Sequence, residues 1–299
     1  MPIPANDLEA IDYHPAHRWV YDRLLVAKTQ GLPCGTADEA PILYPVFCRP
    51  RTSLRGLGRA GRILLGEGHH HEHCGADEFW MRRLIGDRLS TDFAVVEGDI
   101  AWCRHALGMP DAAGALDYWV IEERSRPQLE RYCRQWIAAN LAGYTGMLNL
   151  VTLGGRIIDT HLRFADRWAD LYGRKWLEAV ARLYEFGTWD LIDAVRAEGY
   201  SVVLSGPADA RPDPEVLARY ESTVGISSVR LTFTEGVPQA RVPPGTFRLA
   251  AINCFNLDVG RRVRAALARE LNLAAEVAPT EAPYRRTLPA SLSANALNA

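Results

Sequence analysis

A chain of 299 residues with 48% hydrophobic side chains, 23% charged side chains and a net charge of −2 has the composition of a globular protein with a sizeable buried core. That balance excludes the strongly basic surface that nucleic acid or an anionic membrane selects, so neither is expected as a partner. No apolar run approaches a membrane span, MPIPANDLEA lacks the basic start and apolar centre of a secretory signal, and six cysteines without a CxxC pair read as reduced thiols; a cytoplasmic location is expected.

In chain order, HRWVYDRLLVAKTQG reads as a helix ended by Gly31-Leu32-Pro33. ILYPVFC (42–48) reads as a strand, RPRTSLRGLGRAG (49–61) as an arginine-rich glycine turn, and GRILLGEG as the returning strand. GHHHEHCGAD reads as a polar loop. FWMRRLIG, STDFAVVEGDI, AWCRHALG and DYWVIEE read as short strands. A helix follows: Ser125 and Gln128 have capping-box spacing, Pro127 sits in the first turn, Leu129, Tyr132, Cys133, Trp136, Ile137 and Leu141 recur at helical spacing, and Gly143 ends it.

GMLNLVTL and RIIDTHLRF flank Gly154-Gly155 as a β-hairpin. Beyond about 171, LYGRKWLEAVARLYEFG and WDLIDAVRAEG read as helices, YSVVLSGP as a strand, and PDPEVLARYES as a helix. SSVRLTFT and TFRLAAINCF read as strands and DVGRRVRAALARELNL as a last helix. The Ala/Pro/Ser/Thr-rich tail after 275 reads as disordered. Short antiparallel strands grouped between helices indicate an α+β fold.

Three local patterns carry chemistry. In YPVFCRPRTSLRGLGRAG, Arg49 ends a strand, and Arg55, Gly56, Gly58 and Gly61 follow in a loop where backbone N–H groups and guanidinium groups can meet phosphate oxygens; an ordinary basic turn has the same look. The run His69–Cys74 offers metal-binding side chains, but between flanking glycines and with no second ligand pair it reads first as a solvated loop. In RIIDTHLRF, Asp159, His161 and Arg163 alternate along a strand, which suits either a half-exposed face with an Asp–Arg pair or a metal and phosphate edge. G-x-S-x-G is absent, and no Cys/His arrangement of a nucleophilic hydrolase stands out.

Taken in order, YPVFCRPRTSLRGLG, FWMRRLIGDRLSTDFAVVEGD and GYTGMLNLVTLGGRIIDTHLRF resemble the lid hairpin, hinge and last core hairpin of the ATP-grasp superfamily, in particular its carbamoyl-phosphate synthetase and biotin carboxylase branch. The resemblance spans roughly residues 20 to 165. It implies a two-lobed ATP-binding fold: an N-terminal helical segment (1–40), a lid subdomain and hinge (41–106), a core (107–170), an appended C-terminal α/β extension (171–275) and the tail (276–299).

The resemblance implies that Arg49, Arg55, Gly56 and Gly58 meet ATP phosphates, and that Arg82 and Leu84 hold adenine by their backbone. It implies Asp159 as a magnesium ligand, His161 in place of the family's asparagine, and Arg163 as the catalytic cation facing the γ-phosphate or acyl phosphate. The cofactors would be ATP and magnesium, the substrates a small-molecule carboxylate and an amine, and the reaction ligation through an acyl phosphate. A chain that binds nucleotide without ligating anything is the alternative, and a metal-handling protein built on His69–Cys74 a third.

The second metal ligand of the family falls at Val151. Asn149 shares its face and could replace it, depending on register: a strict Gly-Gly turn pairs Leu150 with Asp159, whereas one bulged residue turns Asn149 toward the acid. Too little chain precedes the lid for the family's N-terminal domain. Any substrate domain would come from the C-terminal segment or a partner. Oligomeric state leaves no mark in the sequence.

Overall fold

The computed structural model describes residues 3–4, 6–52, 61–112, 114–193, 195–207, 210, 213–232 and 247–273. Arg55, Gly56, Gly58 and the tail after 275 lie outside them. Two antiparallel sheets organise the rest. The smaller has the order β1-β4-β2-β3, from Cys34–Thr36 (β1), Val46–Pro50 (β2), Arg62–Leu64 (β3) and Glu78–Arg82 (β4). The larger has the order β11-β12-β10-β7-β6-β5-β8-β9, from Arg88–Val96 (β5), Asp99–Pro110 (β6), Leu116–Ile121 (β7), Gly146–Leu153 (β8), Arg156–His161 (β9), Gly199–Gly206 (β10), Ile226–Leu231 (β11) and Phe247–Cys254 (β12).

The C-terminal strands therefore extend the same sheet. β10 pairs with β7 through Tyr200–Val120 and Ser201–Trp119, and β12 and β11 add beyond it. The sheet's faces follow from strand alternation. On one face Phe93, Val95, Leu148, Leu150 and Ile157 pack with Cys133, Trp136 and Ile137 of α4 (Pro127–Asn140). On the other, Ala94, Trp102, Ala106, Trp119, Ile121 and Met147 are covered by the 3-10 helix Asp166–Tyr172 and by Trp176, Val180 and Leu183 of α5 (Trp176–Phe186). α6 (Pro214–Glu221) and α7 (Leu257–Glu270) cover Val202, Leu204, Val229 and Ile252.

Several elements differ from the sequence expectation. α1 (Asp7–Tyr13) precedes the segment read as one helix, and that segment is two: a 3-10 helix over Pro15–Tyr21 and α2 over Arg23–Thr29. Asp22 divides them because its carboxylate accepts from the Leu24 and Leu25 N–H groups and starts a new helix. The histidine run is helical, α3 (Glu67–His73), since His70 is buried and its Nε2 lies 2.8 Å from the Ala37 carbonyl, tying the run to the lid.

Ser125 does not cap α4. Arg126 holds the N-cap position, and its N–H donates to the Glu130 carboxylate. The described residues of WDLIDAVRAEG are not helical: Gly187, at φ +69°, closes α5, and tertiary partners hold the segment that follows. Trp102 donates to Asp193 and Arg104 donates to the Ala197 carbonyl. All six cysteines are free thiols, Cys48 and Cys74 in sulfur contact at 3.3 Å. No helix among the described residues is long and apolar enough to cross a membrane.

Candidate functional site

The β8–β9 hairpin turns at Gly154-Gly155, both at positive φ, and pairs Leu153 with Arg156 and Thr152 with Ile157. A bulge then shifts the register, so that Val151 faces Asp159 and Asn149 faces His161. The bulged alternative is the one adopted, and it sets Asn149, Val151, Asp159 and His161 on one face. Asn149 nevertheless turns along the sheet toward β5. Its Nδ2 donates to Asp92 Oδ1 at 2.7 Å and to Ser90 at 2.9 Å.

Asp159 is buried and double-clamped. Arg23 of α2 donates through Nε to Oδ1 at 2.5 Å, and Arg49 of β2 donates through Nη2 to Oδ2 at 2.7 Å. Arg49 also donates to the Ile158 carbonyl at 3.1 Å, and Arg23 to the carbonyls of Pro50 and Thr52. Burial alone would raise the Asp159 pKa, but the adjacent Arg49 and Arg23 charges outweigh it and hold the carboxyl well below the usual range.

Arg163 and His161 share a different acid. Asp7 of α1 accepts from Arg163 Nε at 2.9 Å and lies 3.1 Å from His161 Nδ1. Burial pulls the Asp7 pKa upward, and His161 and Arg163 together override it, leaving it depressed. Arg49 and Asp159 thus come together, while Arg163 and His161 gather around an acid that the sequence reading did not single out.

Where the lid meets the long sheet, Arg82, Arg83 and Leu84 border an apolar cavity of about 170 Å³. Phe47, Ile63 and Met81 form its lid side, Leu153 and Ile158 its long-sheet side, and Arg49 stands at its rim. Gly154 brings the two bodies close: a Cβ there would lie 2.2 Å from the Ile85 carbonyl oxygen.

These residues do not fit a dedicated magnesium site. Hard divalent ions want several oxygen donors, yet both Asp159 oxygens accept from arginines and the opposing position is Val151. The Asn149 amide is engaged by Ser90 and Asp92, and His161 offers imidazole nitrogen bound to Asp7. In the histidine run, His70 is committed to Ala37 and His73 lies 3.6 Å from Glu72.

Among the described residues, the group with ligand atoms close enough for a metal is Cys103, His105 and Glu130, which the sequence reading missed. Cys103 and His105 lie on β6 and Glu130 on α4, so no local motif joins all three. His105 already contacts Glu130 at 2.9 Å and Thr91 at 2.9 Å, so both of its ring nitrogens are engaged.

No protein-family model matches the sequence, and no curated protein matches it. Solved structures do. The chain is similar to the L-amino acid ligase of Bacillus licheniformis (11% identity, 83% of this chain and 69% of that one, TM-score 0.54). It is similar to the carboxyaminoimidazole ribonucleotide synthase of Aspergillus clavatus complexed with ATP (11% identity, 89% and 78%, TM-score 0.57). A third is the N5-carboxyaminoimidazole ribonucleotide synthetase of Thermus thermophilus (17% identity, 88% and 75%, TM-score 0.56). At such identities the likeness is one of fold.

Proposed function

The chain carries the ATP-grasp fold, an α+β architecture with a lid sheet set against a long antiparallel sheet, and on that premise we propose that it binds ATP between the two and uses it to join a small-molecule carboxylate to an amine. The observation that carries this reading is the apolar slot at the hinge with Arg49 on its rim. A flat base suits a slot walled by Phe47 and Ile63 above and Leu153 and Ile158 below, and with the Arg82 N–H taken by the Pro33 carbonyl, the Arg83–Leu84 backbone is the part of the hinge left to meet its edge.

The phosphates then run from the rim toward Arg49 and Arg23, which exchange Asp159 for phosphate oxygens; arginine forks suit both partners. Arg55, Gly56 and Gly58 lie outside the described residues, and their phosphate-binding role stays what the resemblance implies. A carboxylate oxygen of the substrate attacks the γ-phosphorus in line and ADP leaves, giving an acyl phosphate; the amine attacks the acyl carbon and inorganic phosphate departs. Arg163, oriented by Asp7, neutralises charge as it builds on the transferred group. The site as built supplies no dedicated magnesium ligand set, and no step is assigned to that ion.

A second reading, nucleotide binding without ligation, is favoured by Val151 opposite Asp159 and by the commitment of both Asp159 oxygens. Calorimetry with ATP, then ADP release over a panel of carboxylates and amines, separates the two. Binding that weakens about tenfold or more in Ile158→Trp, together with ADP release for a carboxylate–amine pair, supports the ligase. Binding without release across the panel supports the second reading, and no binding at all removes both.

A further inference from the structure

Three arginines on the sheet face between the ATP site and the C-terminal strands have no acid of their own. Arg88 starts β5, Arg167 lies on the 3-10 helix four residues beyond Arg163, and Arg248 lies on β12. Arg88 is exposed and the other two are half-buried, so solvent reaches the group. Among the described residues none of the three makes an ion pair or a side-chain hydrogen bond. Arg248 Nε is buried without a partner, and so is the indole N–H of Trp119.

Arg88 and Arg167 are held in place by aromatic packing. The Trp119 and Trp168 rings touch at 5.3 Å; Arg88 lies over Trp119 at 6.0 Å and Arg167 over Trp168 at 5.8 Å. Acids nearby are committed elsewhere. Asp170 accepts from Ser228 and Asn253 and pairs with Arg230, while Asp166 is exposed and shared with Arg163. Arg167's charge first, burial second and Arg88's charge third pull the Arg248 pKa well below its usual value. Like charges held together over a low-dielectric floor repel, and an oxyanion relieves that repulsion while satisfying the orphan donors.

We propose that Arg88, Arg167 and Arg248 form a subsite for a second anionic group of the acid substrate, a phosphate monoester or a second carboxylate, so that the substrate is at least a dianion. The assignment rests on the ligase reading for its orientation. Arg88 sits opposite Leu153, which walls the hinge slot, and lies over Trp119 on its other side, so it stands between the nucleotide slot and the subsite. The carboxylate to be phosphorylated then lies toward Arg88 and the distal anion on Arg167 and Arg248.

The test is calorimetric titration of the full chain with inorganic phosphate and, separately, succinate, in wild type, Arg248→Gln and Arg167→Gln, with ATP titrated in parallel. Binding of at least one probe, weakened about 10- to 100-fold in each variant while ATP affinity holds, is the expected result. Which probe wins distinguishes a phosphate ester from a dicarboxylate. Thermal unfolding in phosphate-free buffer guards against misfolding: Arg248→Gln should melt no lower than wild type, because it removes a repelled charge. No probe binding in wild type, or equal binding in the variants, overturns the subsite. Parallel loss of ATP binding overturns it too, since the cluster then belongs to the nucleotide. Probe binding that depends on Arg248 in a chain that fails to bind ATP leaves the subsite standing and removes the ligase reading alone.

Discussion

Arg49 Nη2 stands 2.7 Å from Asp159 Oδ2, so a single ion pair joins lid strand β2 to the outermost strand of the long sheet. With Arg23 on the other oxygen, the carboxylate occupies guanidinium groups that the proposed function gives to phosphates. On that reading carboxylate and nucleotide compete.

Asp159→Asn should separate the two roles of that acid. Removing the charge leaves Arg23 and Arg49, both largely buried, without compensation, and should cost on the order of 3 kcal/mol of stability, read by urea unfolding. The freed arginines should bind ATP severalfold more tightly in the absence of divalent ions. Unchanged or weaker binding in calorimetry would show that the phosphates do not meet these arginines.

Val151→Glu places a second carboxylate opposite Asp159 on the same face. Cation affinity follows the number of charged oxygen donors, so the variant should bind magnesium about tenfold more tightly than wild type, measured by calorimetry without nucleotide. If wild type already binds as well, the present donor set suffices to hold magnesium.

Asp92 gives a pH signature. Burial pushes its carboxyl up to about 6 from 3.8, although the Ala165 N–H, Tyr172 hydroxyl and Asn149 amide all donate to it. A group with a raised folded-state pKa binds more protons folded than unfolded between those values, so stability falls as pH rises from about 4 to about 6, by on the order of 3 kcal/mol. Asp7 and Asp159 act in the opposite sense: their depressed values give stability that is full above about pH 4 and lost as pH falls toward their folded values. In Asp92→Asn the decline between about pH 4 and 6 should vanish, while the acid-side loss remains. A slope that persists in denaturation curves across that window would rule Asp92 out as its source.

Much of this architecture is legible in local sequence. The α4 periodicity, the Gly154-Gly155 turn and the β2 and β3 strands of the lid each follow from residues close together in the chain. The site is less legible because its partners are remote. Arg23 and Asp159 are 136 residues apart, and Asp7 and Arg163 are 156 apart. No spacing rule links them. The bulge beside Val151 decides the face of Asn149, yet nothing in GMLNLVTL fixes it; the competing pull comes from Asp92 on a different strand. WDLIDAVRAEG has helical composition, but Asp193 and Ala197 are claimed by Trp102 and Arg104, and those tertiary bonds override propensity. Arg248 drew no attention because an arginine in a strand is unremarkable until the sheet order is known.

Because β10 pairs directly with β7, the C-terminal hundred or so residues cannot be treated as a detachable module. Trimming the chain at Gly199 would strip β7 of its neighbour, and the backbone groups of Tyr118–Ile121 would become an open edge ready to recruit another chain. The proposed anion subsite would also lose the two strands that seat Ser201 and Arg248, so a shortened protein is expected to aggregate before it can be assayed.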